Sequence, residues 1–539
     1  MIPSNAETFS GEEKSLLSKH VTNIDKDIYC IKNLPEEVIA VLFAYVSRSP
    51  LSFRRNLINL IGSGDLDVHE VKDIYSDDAK GIEGAKEKAQ KFHDKWVVGY
   101  GHSSVAEHAD LKFAVENVSI IATKVLEDNR LGRYTEKSSR YQIFDFNHFY
   151  KDPVIMDSEF RQDFLDLMGS LFAFYQELIP VMTEHIKRKN PKPDDMKDRP
   201  YEASVKAKVC DILRYILPAS SYSMLGMSFN ARVASRAITK FLSHPLSEIR
   251  DIGRRMLEEG RKICPTLLEF ALFNKYIDET NRSMMSLSDD IFEGTSPVVG
   301  SDVDIVGCDP DPDMRIITAI LYEYTNLSYR QIRKYVDKLD QAAKERILDE
   351  YMSRMQFFDY PLRALEHAYF TMDIVVDYGA FRDIQRHRMC TQTSQLFNAD
   401  LGYDVPSEIS EIGEEGRFRD LMERSRSLFG RIREKHPHEA QYVVPFAFRK
   451  RVLFTWNLRE LEHFIRIRSS QQGHISYRRI AIRCHEEIEK RFPLLAKYLR
   501  VDKKDYALER IGAELQTEKV LEEAKRKYGK EVRLAQDQR

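Results

Sequence analysis

The feature that most constrains this chain is a pair of motifs that recur at a single offset. R-Y-I-L-P at residues 214–218 corresponds to Q-Y-V-V-P at 441–445, and N-A-R at 230–232 corresponds to N-L-R at 457–459. Both pairs are 227 residues apart, and agreement between two separated motifs is hard to obtain by chance. Self-similarity at a fixed offset is the signature of a repeated structural unit. The sequence therefore predicts a duplicated fold.

Shorter matches extend the duplication towards the start of each copy. E-H-A-D-L-K-F-A-V at residues 107–115 corresponds to E-H-A-Y-F-T-M-D-I at 366–374, and both segments could begin a strand that enters the core. S-F-R beginning at Ser52 corresponds to S-Y-R beginning at Ser328. The order of the matches is the same in both halves, with the second copy trimmed.

These matches, and the composition of the segments between them, predict the domain organisation. We expect two tandem α/β (α+β) units at residues 1–284 and 314–500, each a β-sheet with packed helices. Residues 285–313 are rich in Ser, Asp, Gly and Pro and are predicted to be the linker between the units. Residues 501–539 have a charged helical pattern and are predicted to be a solvated tail or a partner-facing helix.

The charge balance and the cysteines exclude several classes of function. The formal net charge is only −3, so no global positive field argues for a nucleic acid or an anionic membrane as a partner. The six cysteines are scattered without a C-x-x-C pair, which indicates neither a disulfide framework nor a cysteine zinc site. The sequence has no secretory signal and no apolar run of membrane-spanning length. We expect a cytoplasmic protein that binds neither nucleic acid nor membrane.

The first of three polar clusters is G-H-S-S-V-A-E-H at residues 101–108. Its simplest interpretation is a capped turn that leads into a strand. A metal site of His102, Glu107 and His108 is a weaker alternative, because the second copy has Pro361 in place of His102.

The second cluster is a pair of arginine-rich segments. Arg386, His387 and Arg388 bring three potential cations together, which is costly unless an anion or solvent lies among them. The matching triplet of the first copy is residues 128–130, and E-K-S-S-R-Y follows at 136–141. Guanidinium groups bind phosphates bidentately, and closely spaced Glu, Ser and Arg can bind a ribose hydroxyl and a phosphate together. A solvated charge run is the alternative.

The third cluster is N-L-R-E-L-E-H-F-I-R-I-R at residues 457–468. Arg459 and His463 are four residues apart and would share one face of a helix. An exposed basic helix explains the pattern equally well. The chain has no G-x-x-x-x-G-K-[ST] and no complete G-x-G-x-x-G, so a bound nucleotide is not held by a P-loop or a Rossmann turn.

Together these motifs resemble the flavin-dependent thymidylate synthases. The signature of that family is R-H-R followed by Ser-x-Arg-Tyr, preceded by G-H-x-[ST]-x-x-E-H and followed by R-x-x-L-P and N-x-R. The likeness covers residues 40–270 and 315–495. The resemblance implies an FAD-dependent enzyme that methylates dUMP reductively to dTMP, with methylenetetrahydrofolate and NADPH as co-substrates.

The two copies depart from the family pattern in complementary ways. The first copy has lost R-H-R and the uracil-facing arginine, where Asp128-Asn129-Arg130 and Phe241 now stand. The second copy keeps both but has lost the Glu-x-Ser-x-Arg residues and the R-x-x-L-P arginine, which are now Ser394, Leu396, Asn398 and Gln441. Since the family shares its sites between subunits, the resemblance implies one complete composite site and one dead reciprocal site.

The resemblance also implies roles for the residues of the complete site. The residues implied to bind dUMP are Glu136, Ser138, Ser139, Arg140, Arg214, Arg386 and Arg468. The residues implied to bind FAD are Ser104, Glu107, Arg386, His387, Arg388, Asn457, Arg459 and His463. His102 and His387 are also candidate neighbours of folate or flavin. Arg468 is the implied catalytic residue, which would stabilise negative charge on the uracil. No metal ion is implied.

Other aspects of function follow less directly. No protein nucleophile is required, and Cys390 is predicted to be a small buried hydrophobic residue. A homodimer is expected, since two chains would rebuild the four-unit assembly of the family. Two alternatives stay open: a non-catalytic flavin- or nucleotide-binding paralogue, and a related flavoenzyme acting on another pyrimidine nucleotide.

Overall fold

The computed structural model describes residues 8–46, 51–62, 104–146, 148–194, 196–356 and 359–506, with scattered residues between 508 and 526. The chain packs into two compact units. The first unit draws on Met1–Glu116, Val125–Glu136 and Met224–Glu293, and the second on Asn117–Lys124, Lys137–Ser223 and Gly294–Arg539.

The elements of the first copy follow one another along the chain. They are α1 (Gly11–His20), α2 (Glu36–Val46), α3 (Phe53–Gly62), a 3-10 turn (Val105–His108), β1 (Asp110–Ser119), α4 (Ile120–Leu126), β2 (Arg133–Glu136), α5 (Pro153–Met156), α6 (Arg161–Lys189), α7 (Asp198–Leu213), a second 3-10 turn (Arg214–Ile216), β3 (Tyr222–Asn230), α8 (Ala231–Leu242), α9 (Ser247–Arg261) and α10 (Lys275–Ile291).

The elements of the second copy follow in a similar order. They are β4 (Val303–Cys308), α11 (Pro312–Glu323), α12 (Tyr329–Val336), α13 (Gln341–Met352), a 3-10 turn (Arg363–His367), β5 (Tyr369–Asp377), α14 (Tyr378–Ile384), β6 (Thr391–Ser394), α15 (Ser407–Glu411), α16 (Glu415–Arg433), a 3-10 turn (Glu439–Val443), β7 (Arg449–Asn457), α17 (Leu458–Ser469), α18 (Ile475–Arg491) and α19 (Pro493–Ala496). Within the described residues, no helix is both long and apolar enough to cross a membrane.

Both copies build a sheet with the same strand order. The first sheet runs β1–β3–β2, and the second runs β5–β7–β6 with β4 added at the edge beside β5. In β7 the buried residues alternate with less buried ones, as expected of a strand with one face on the core; they are Lys450, Val452, Phe454 and Trp456. The mixed helix-and-sheet fold in two tandem copies confirms the predicted fold class.

Between the E-H-A motif and the triplet that follows it, the first copy has one more residue than the second. Glu107 and Asp128 are 21 residues apart, whereas their counterparts Glu366 and Arg386 are 20 apart. Strand β1 has ten residues and its counterpart β5 has nine, and β1 contains Asn117, whose φ of 55° lies in the left-handed region. An inserted residue with such a backbone is typical of a β-bulge, and asparagine tolerates it better than most residues.

The N-x-R motifs are helix starts in both copies. The side chain of Asn230 accepts a hydrogen bond from the backbone N–H of Val233 at 2.9 Å, and Asn457 accepts one from Glu460 at 2.9 Å. Asparagine at this position satisfies a backbone donor that the helix itself leaves free. Each motif therefore ends the central strand of its sheet and begins the next helix, α8 or α17.

The R-Y-I-L-P and Q-Y-V-V-P motifs pair directly with each other inside the second unit. Pro218 lies opposite its counterpart Pro445 in an antiparallel bridge. The N–H of Ala219 donates to the carbonyl of Val444 at 2.9 Å, and the N–H of Phe446 donates to the carbonyl of Leu217 at 3.0 Å. These two bonds join equivalent positions, so a local two-fold axis relates the two motifs.

The domain boundaries differ from those expected from composition. Residues 137–223 of the first copy pack in the second unit, because their R-Y-I-L-P motif pairs with the second copy. The expected linker at 285–313 also contains the end of α10 and the whole of β4. Strand β4 pairs with β5 from Val303 opposite Ile374 to Cys308 opposite Phe370. Its sequence resembles a loop because only alternate residues of this edge strand are apolar and buried.

At its start, the tail contains less helix than its charged pattern predicted. Residues 501–506 form neither helix nor strand, whereas described residues between 512 and 526 are helical. Most of these helical residues are half-buried or exposed, in keeping with a solvated tail.

Glu37 is an acidic residue in the core of the first unit, and the burial of its carboxyl group can be tested. It lies on α2, whose Val38, Val41 and Leu42 belong to a cluster of buried apolar residues. Burial raises the pKa of Glu37 from an ordinary value of 4.5 to about 7, although Thr266 donates a backbone hydrogen bond to it at 3.2 Å.

We expect Glu37→Gln to stabilise the protein at pH 8 by up to about 3 kcal/mol, because the wild type must bury a carboxylate there. The folded wild type holds its proton more tightly than the unfolded chain, so its stability falls as the pH rises from about 4.5 to 7. The advantage of the variant should therefore vanish near pH 4.5. Urea unfolding at both pH values measures it, and equal midpoints at pH 8 would contradict the prediction.

Candidate functional site

A buried arginine of the first copy is held by residues of both copies. Within the second unit, Arg140 donates from Nε and Nη2 to the two carboxylate oxygens of Asp211, each at 2.7 Å. Its Nη1 donates to the hydroxyl of Tyr477 at 2.7 Å, and Nη2 also donates to the carbonyl of Gln472 at 3.2 Å. Bidentate pairing of this kind fixes the plane and the direction of a guanidinium group. Arg140 is thus anchored by α7 of its own copy and by α18 of the other.

Tyr477 also links this arginine to Arg468. The guanidinium carbons of Arg140 and Arg468 each lie 5.4 Å from the centre of the Tyr477 ring. The two arginines therefore approach the same aromatic ring from different copies. This arrangement brings together a predicted phosphate-binding residue and the predicted uracil-facing residue.

Arg214 is more deeply buried and less completely paired. Only 1% of its surface is exposed, and its Nη1 lies 3.4 Å from a carboxylate oxygen of Asp383 on α14. Its Nε and Nη2 atoms are buried without a hydrogen-bond partner in the described structure. Buried guanidinium donors are costly to leave unsatisfied, so Arg214 has capacity for a further acceptor.

The backbone of α14 comes unusually close to Arg214. A Cβ built on Gly379 would lie 3.0 Å from Nε of Arg214 and 3.1 Å from a carboxylate oxygen of Asp377. Asp377 is itself fixed, since it accepts from the N–H of Ala380 at 2.8 Å and from the hydroxyl of Ser476. A side chain at this position would lie closer to the guanidinium group than an ordinary van der Waals contact, so one of the two would have to shift.

We define the arginine cluster as the five guanidinium groups that gather in this part of the second unit: Arg140, Arg214, Arg382, Arg386 and Arg468. Arg382 donates to the hydroxyl of Ser139 at 2.9 Å, again joining the two copies. Burial alone would raise the pKa of Asp383, but four of the arginines outweigh it and hold that pKa well below its usual range. Asp383 is therefore a carboxylate at the electrostatic centre of the cluster.

Arg468 also contacts the R-H-R segment. Its Nε donates to Nε2 of His387 at 2.8 Å. Burial lowers the pKa of His387 well below its ordinary value, and the positive charge of Arg468 lowers it further. His387 is consequently a neutral imidazole whose Nε2 carries the lone pair.

Aromatic and imidazole rings lie beside His387. The ring of His463 lies 5.5 Å from that of His387 and 5.5 Å from that of Tyr360, measured between ring centres. Nδ1 of His463 and Nε1 of Trp456 are buried without a hydrogen-bond partner in the described structure. Flat rings and unsatisfied nitrogens next to several cations suit an aromatic ligand that carries negative charge.

Asn457 and Arg459, predicted to bind cofactor, have structural partners here. Asn457 caps α17, and Arg459 donates to a carboxylate oxygen of Glu366 and to the carbonyl of Pro361, both at 2.7 Å. The equivalent pair of the first copy, Glu107 and Arg232, forms the same ion pair inside the first unit. An ion pair between E-H-A and N-x-R is therefore a feature of the fold in both copies.

The structure gathers most of the predicted site residues in the second unit. They are Ser138, Ser139, Arg140, Arg214, Arg386, His387, Arg388, Asn457, Arg459, His463 and Arg468. Three others belong to the first unit, namely Ser104, Glu107 and Glu136. His102 lies outside the described residues. Across the part of the chain that the structure describes, no group of three His, Cys, Asp or Glu side chains could hold a metal ion. Cys390 is buried, as predicted, and its Sγ donates to the carbonyl of His387 at 2.9 Å.

Several residues of the site were missed by the sequence analysis. They are Asp211, Asp377, Arg382, Asp383, Ser476 and Tyr477. Asp211 and Asp383 each stand three residues before an arginine of the cluster, a spacing that could have identified them. Tyr477 had no such signal, because its hydrogen-bond partner Arg140 is 337 residues away in sequence.

A protein-family model described as thymidylate synthase complementing protein matches the chain twice, at residues 57–266 and 304–494. The chain belongs to this family. The two matches in tandem confirm the predicted duplication and the family resemblance.

Relatives of this family fall into two sizes. The chain is 35% identical to a UPF0159 protein of Chlamydia muridarum over 94% of its own length and 98% of the relative's. It is 29% identical to a UPF0159 protein of Thermoplasma acidophilum over 82% of its length and 95% of the relative's. It is 27% identical to a flavin-dependent thymidylate synthase of Clostridium tetani over 35% of its length and 72% of the relative's. The UPF0159 relatives thus match the two-copy length, whereas the synthase matches a shorter segment.

The counterpart of Arg214 in the other copy is uncharged. Gln441 replaces Arg214, and it accepts from the N–H of Phe397 at 3.0 Å instead of facing a carboxylate. Ile121 stands where Gly379 does, so the copy that lacks the arginine has no need of the glycine. Phe397 stands where Ser139 does.

Gly379 offers a test of the close approach to Arg214. We expect Gly379→Ala to destabilise the protein by about 1–3 kcal/mol, because the added methyl group overpacks a buried guanidinium. Gly430→Ala on α16 is the matched control: nothing lies within 4 Å of its added Cβ, so it should stabilise by up to about 1 kcal/mol. The urea midpoints of both variants decide the matter, and stabilisation by Gly379→Ala would refute the tight contact.

Proposed function

We propose that this protein is an FAD-dependent thymidylate synthase with one composite active site, which converts dUMP to dTMP using methylenetetrahydrofolate and NADPH. The observation that carries the proposal is the meeting of Arg140 and Arg468 at the ring of Tyr477. The resemblance assigns the first arginine to the phosphate of dUMP and the second to its uracil. Each comes from the copy that retains it.

The charge of the site supports a nucleoside monophosphate as substrate. The arginine cluster faces three carboxylates among the described residues, Asp211, Asp377 and Asp383. The arginines of the cluster outnumber these carboxylates, and the positive excess suits a phosphate monoester, which carries about −1.5 to −2 near neutral pH. Nε and Nη2 of Arg214, which have no acceptor among the described residues, are suited to a phosphate or a ribose hydroxyl.

Arg468 has the catalytic role in this proposal. Its guanidinium stabilises negative charge that develops on the uracil ring, which makes C5 nucleophilic towards the one-carbon unit. Its hydrogen bond to His387 and its position over Tyr477 fix its direction before the substrate arrives. Arg140 and Arg214 anchor the phosphate, so that binding far from C5 orients the ring.

The residues beside His387 fit a flavin. The unsatisfied Nδ1 of His463 and the rings of His387 and Tyr360 would hold it, with Arg386 and Arg388 towards its phosphates. When bound, a flavin supplies the redox chemistry of the reductive methylation. Ser104 and Glu107, the other residues of the predicted cofactor set, belong to the first unit, where Glu107 pairs with Arg232.

The composite site is tested by separate variants of the two copies. We expect Arg140→Lys and Arg386→Ala each to lower tritium release from C5-labelled dUMP by about 10²-fold or more, since each removes a positioned charge from a shared site. Asp128→Ala is the matched control, because Asp128 is the exposed counterpart of Arg386 and pairs with Lys240 at 2.5 Å. It should release tritium at the wild-type rate. Full activity of either arginine variant would rule out a composite site.

Flavin content separates the proposal from its main alternative. The purified chain should carry about one FAD, because only one of the two sites keeps its charged residues. Flavin binding without tritium release would favour the non-catalytic paralogue, and competition with other pyrimidine nucleotides tests the third possibility. The assembly is a homodimer in this proposal, so light scattering should give twice the chain mass of 63.0 kDa.

A further inference from the structure

Arg468, His387 and Glu460 form a chain of side chains that the resemblance does not explain. Nε of Arg468 donates to Nε2 of His387 at 2.8 Å, and Nδ1 of His387 faces a carboxylate oxygen of Glu460 at 3.6 Å. Glu460 lies in the first turn of α17 and its side chain is 14% exposed. We propose that Glu460 is a positioning residue, which holds His387 in the tautomer that orients Arg468 towards the uracil. This inference rests on the proposed function.

The tautomer follows from the chemistry of the donor. Burial lowers the pKa of Arg468 from an ordinary value of 12.5, but a guanidinium remains protonated in proteins and can only donate. Nε2 of His387 must therefore be the unprotonated nitrogen, and the ring proton of this neutral imidazole sits on Nδ1. That proton points at Glu460. The separation of 3.6 Å is longer than a hydrogen bond, and such contacts often shorten when a ligand binds.

The first copy lacks all three residues at once. The positions that correspond to His387, Glu460 and Arg468 are Asn129, Val233 and Phe241. Helix capping does not require Glu460, because its backbone N–H makes the cap with Asn457 in the second copy as that of Val233 does with Asn230 in the first. The carboxylate therefore has a purpose that the fold itself does not supply, and it occurs together with the pair it would organise.

The surroundings allow Glu460 to change charge near neutral pH. Burial raises the pKa of Glu460 to about 7, against a weaker opposing effect of Arg459 on its own helix. The groups that act on its partner His387 are Arg386, Arg388, His463 and Arg468, all of which disfavour a protonated imidazole. As the pH rises through about 7, a neutral Glu460 becomes a carboxylate that attracts the Nδ1 proton. The orienting effect on Arg468 should therefore be weak at pH 6 and full at pH 8.

Imidazole nitrogen shifts test the inference without any ligand. In protein labelled with ¹⁵N-histidine, the signals of His387, assigned with a His387→Gln variant, should report a proton on Nδ1 at pH 8. Glu460→Gln should shift the tautomer balance towards Nε2–H. Glu423→Gln, an exposed substitution on α16, should leave it unchanged. An identical His387 spectrum in wild type and Glu460→Gln would overturn the proposal.

Substrate binding gives the second readout. We expect Glu460→Gln and Glu460→Val, the latter the residue of the first copy, to bind dUMP about tenfold more weakly than wild type at pH 8. At pH 6 wild type and Glu460→Gln should bind almost equally, because Gln mimics the protonated acid. The dUMP phosphate also titrates near pH 6, but it does so for every variant and cancels in the ratio.

Two outcomes separate this inference from the proposed function. A wild type that binds no dUMP would defeat the proposed function, while the ¹⁵N measurement would still decide the tautomer. If wild type binds dUMP, but the ratio of its dUMP affinity to that of Glu460→Gln is the same at pH 6 and pH 8, only the role of Glu460 is defeated. Thermal unfolding of each variant at pH 8 checks that it is folded before either measurement is interpreted.

Discussion

The buried pairing of arginines with carboxylates is the constraint on which the second unit depends. Removing a charge from water is costly, and a buried pair that loses one partner leaves an uncompensated ion. Arg140 therefore comes with Asp211, and Arg214 with Asp383. The counterpart positions have lost both members of each pair: Asn398 with His438, and Gln441 with Val125. The cost of an unpaired buried charge explains why both members of each arginine–carboxylate pair are present in one site and both are absent from the other.

The meeting of the two copies explains why such divergence was tolerated. Leu217 and Val444, with Ala219 and Phe446, exchange equivalent backbone hydrogen bonds about a local two-fold axis. Backbone pairing of this kind requires no particular side chains, so it survives while the charged residues beside it change. One covalent chain then always carries both halves of the proposed composite site. Neither copy needs to keep the residues that the other provides.

The sequence predicted what is local or repeated, and missed what depends on tertiary packing. The 227-residue offset predicted the duplication, and the four-residue spacing of Arg459 and His463 predicted that both lie on one helix, because helical periodicity is a local property. The assignment of residues 137–223 to the second unit could not be predicted, since it depends on contacts between distant segments. Tyr477 was missed for the same reason. Of its two arginine partners, Arg140 is 337 residues away in sequence and Arg468 lies on the preceding helix.

Because the fold occurs twice in one chain, comparison of the two copies distinguishes the residues that the fold requires from those that a binding site requires. No second protein is needed for this comparison. Residues present in both copies make the same contact in each: Glu107 pairs with Arg232 as Glu366 pairs with Arg459. The fold alone accounts for such residues, even where the family resemblance assigns them to a cofactor. Arg140, Arg214, Arg386, His387, Glu460 and Arg468 occur in one copy only. Since the other copy folds without them, the proposed composite site and its ligands account for their burial and charge.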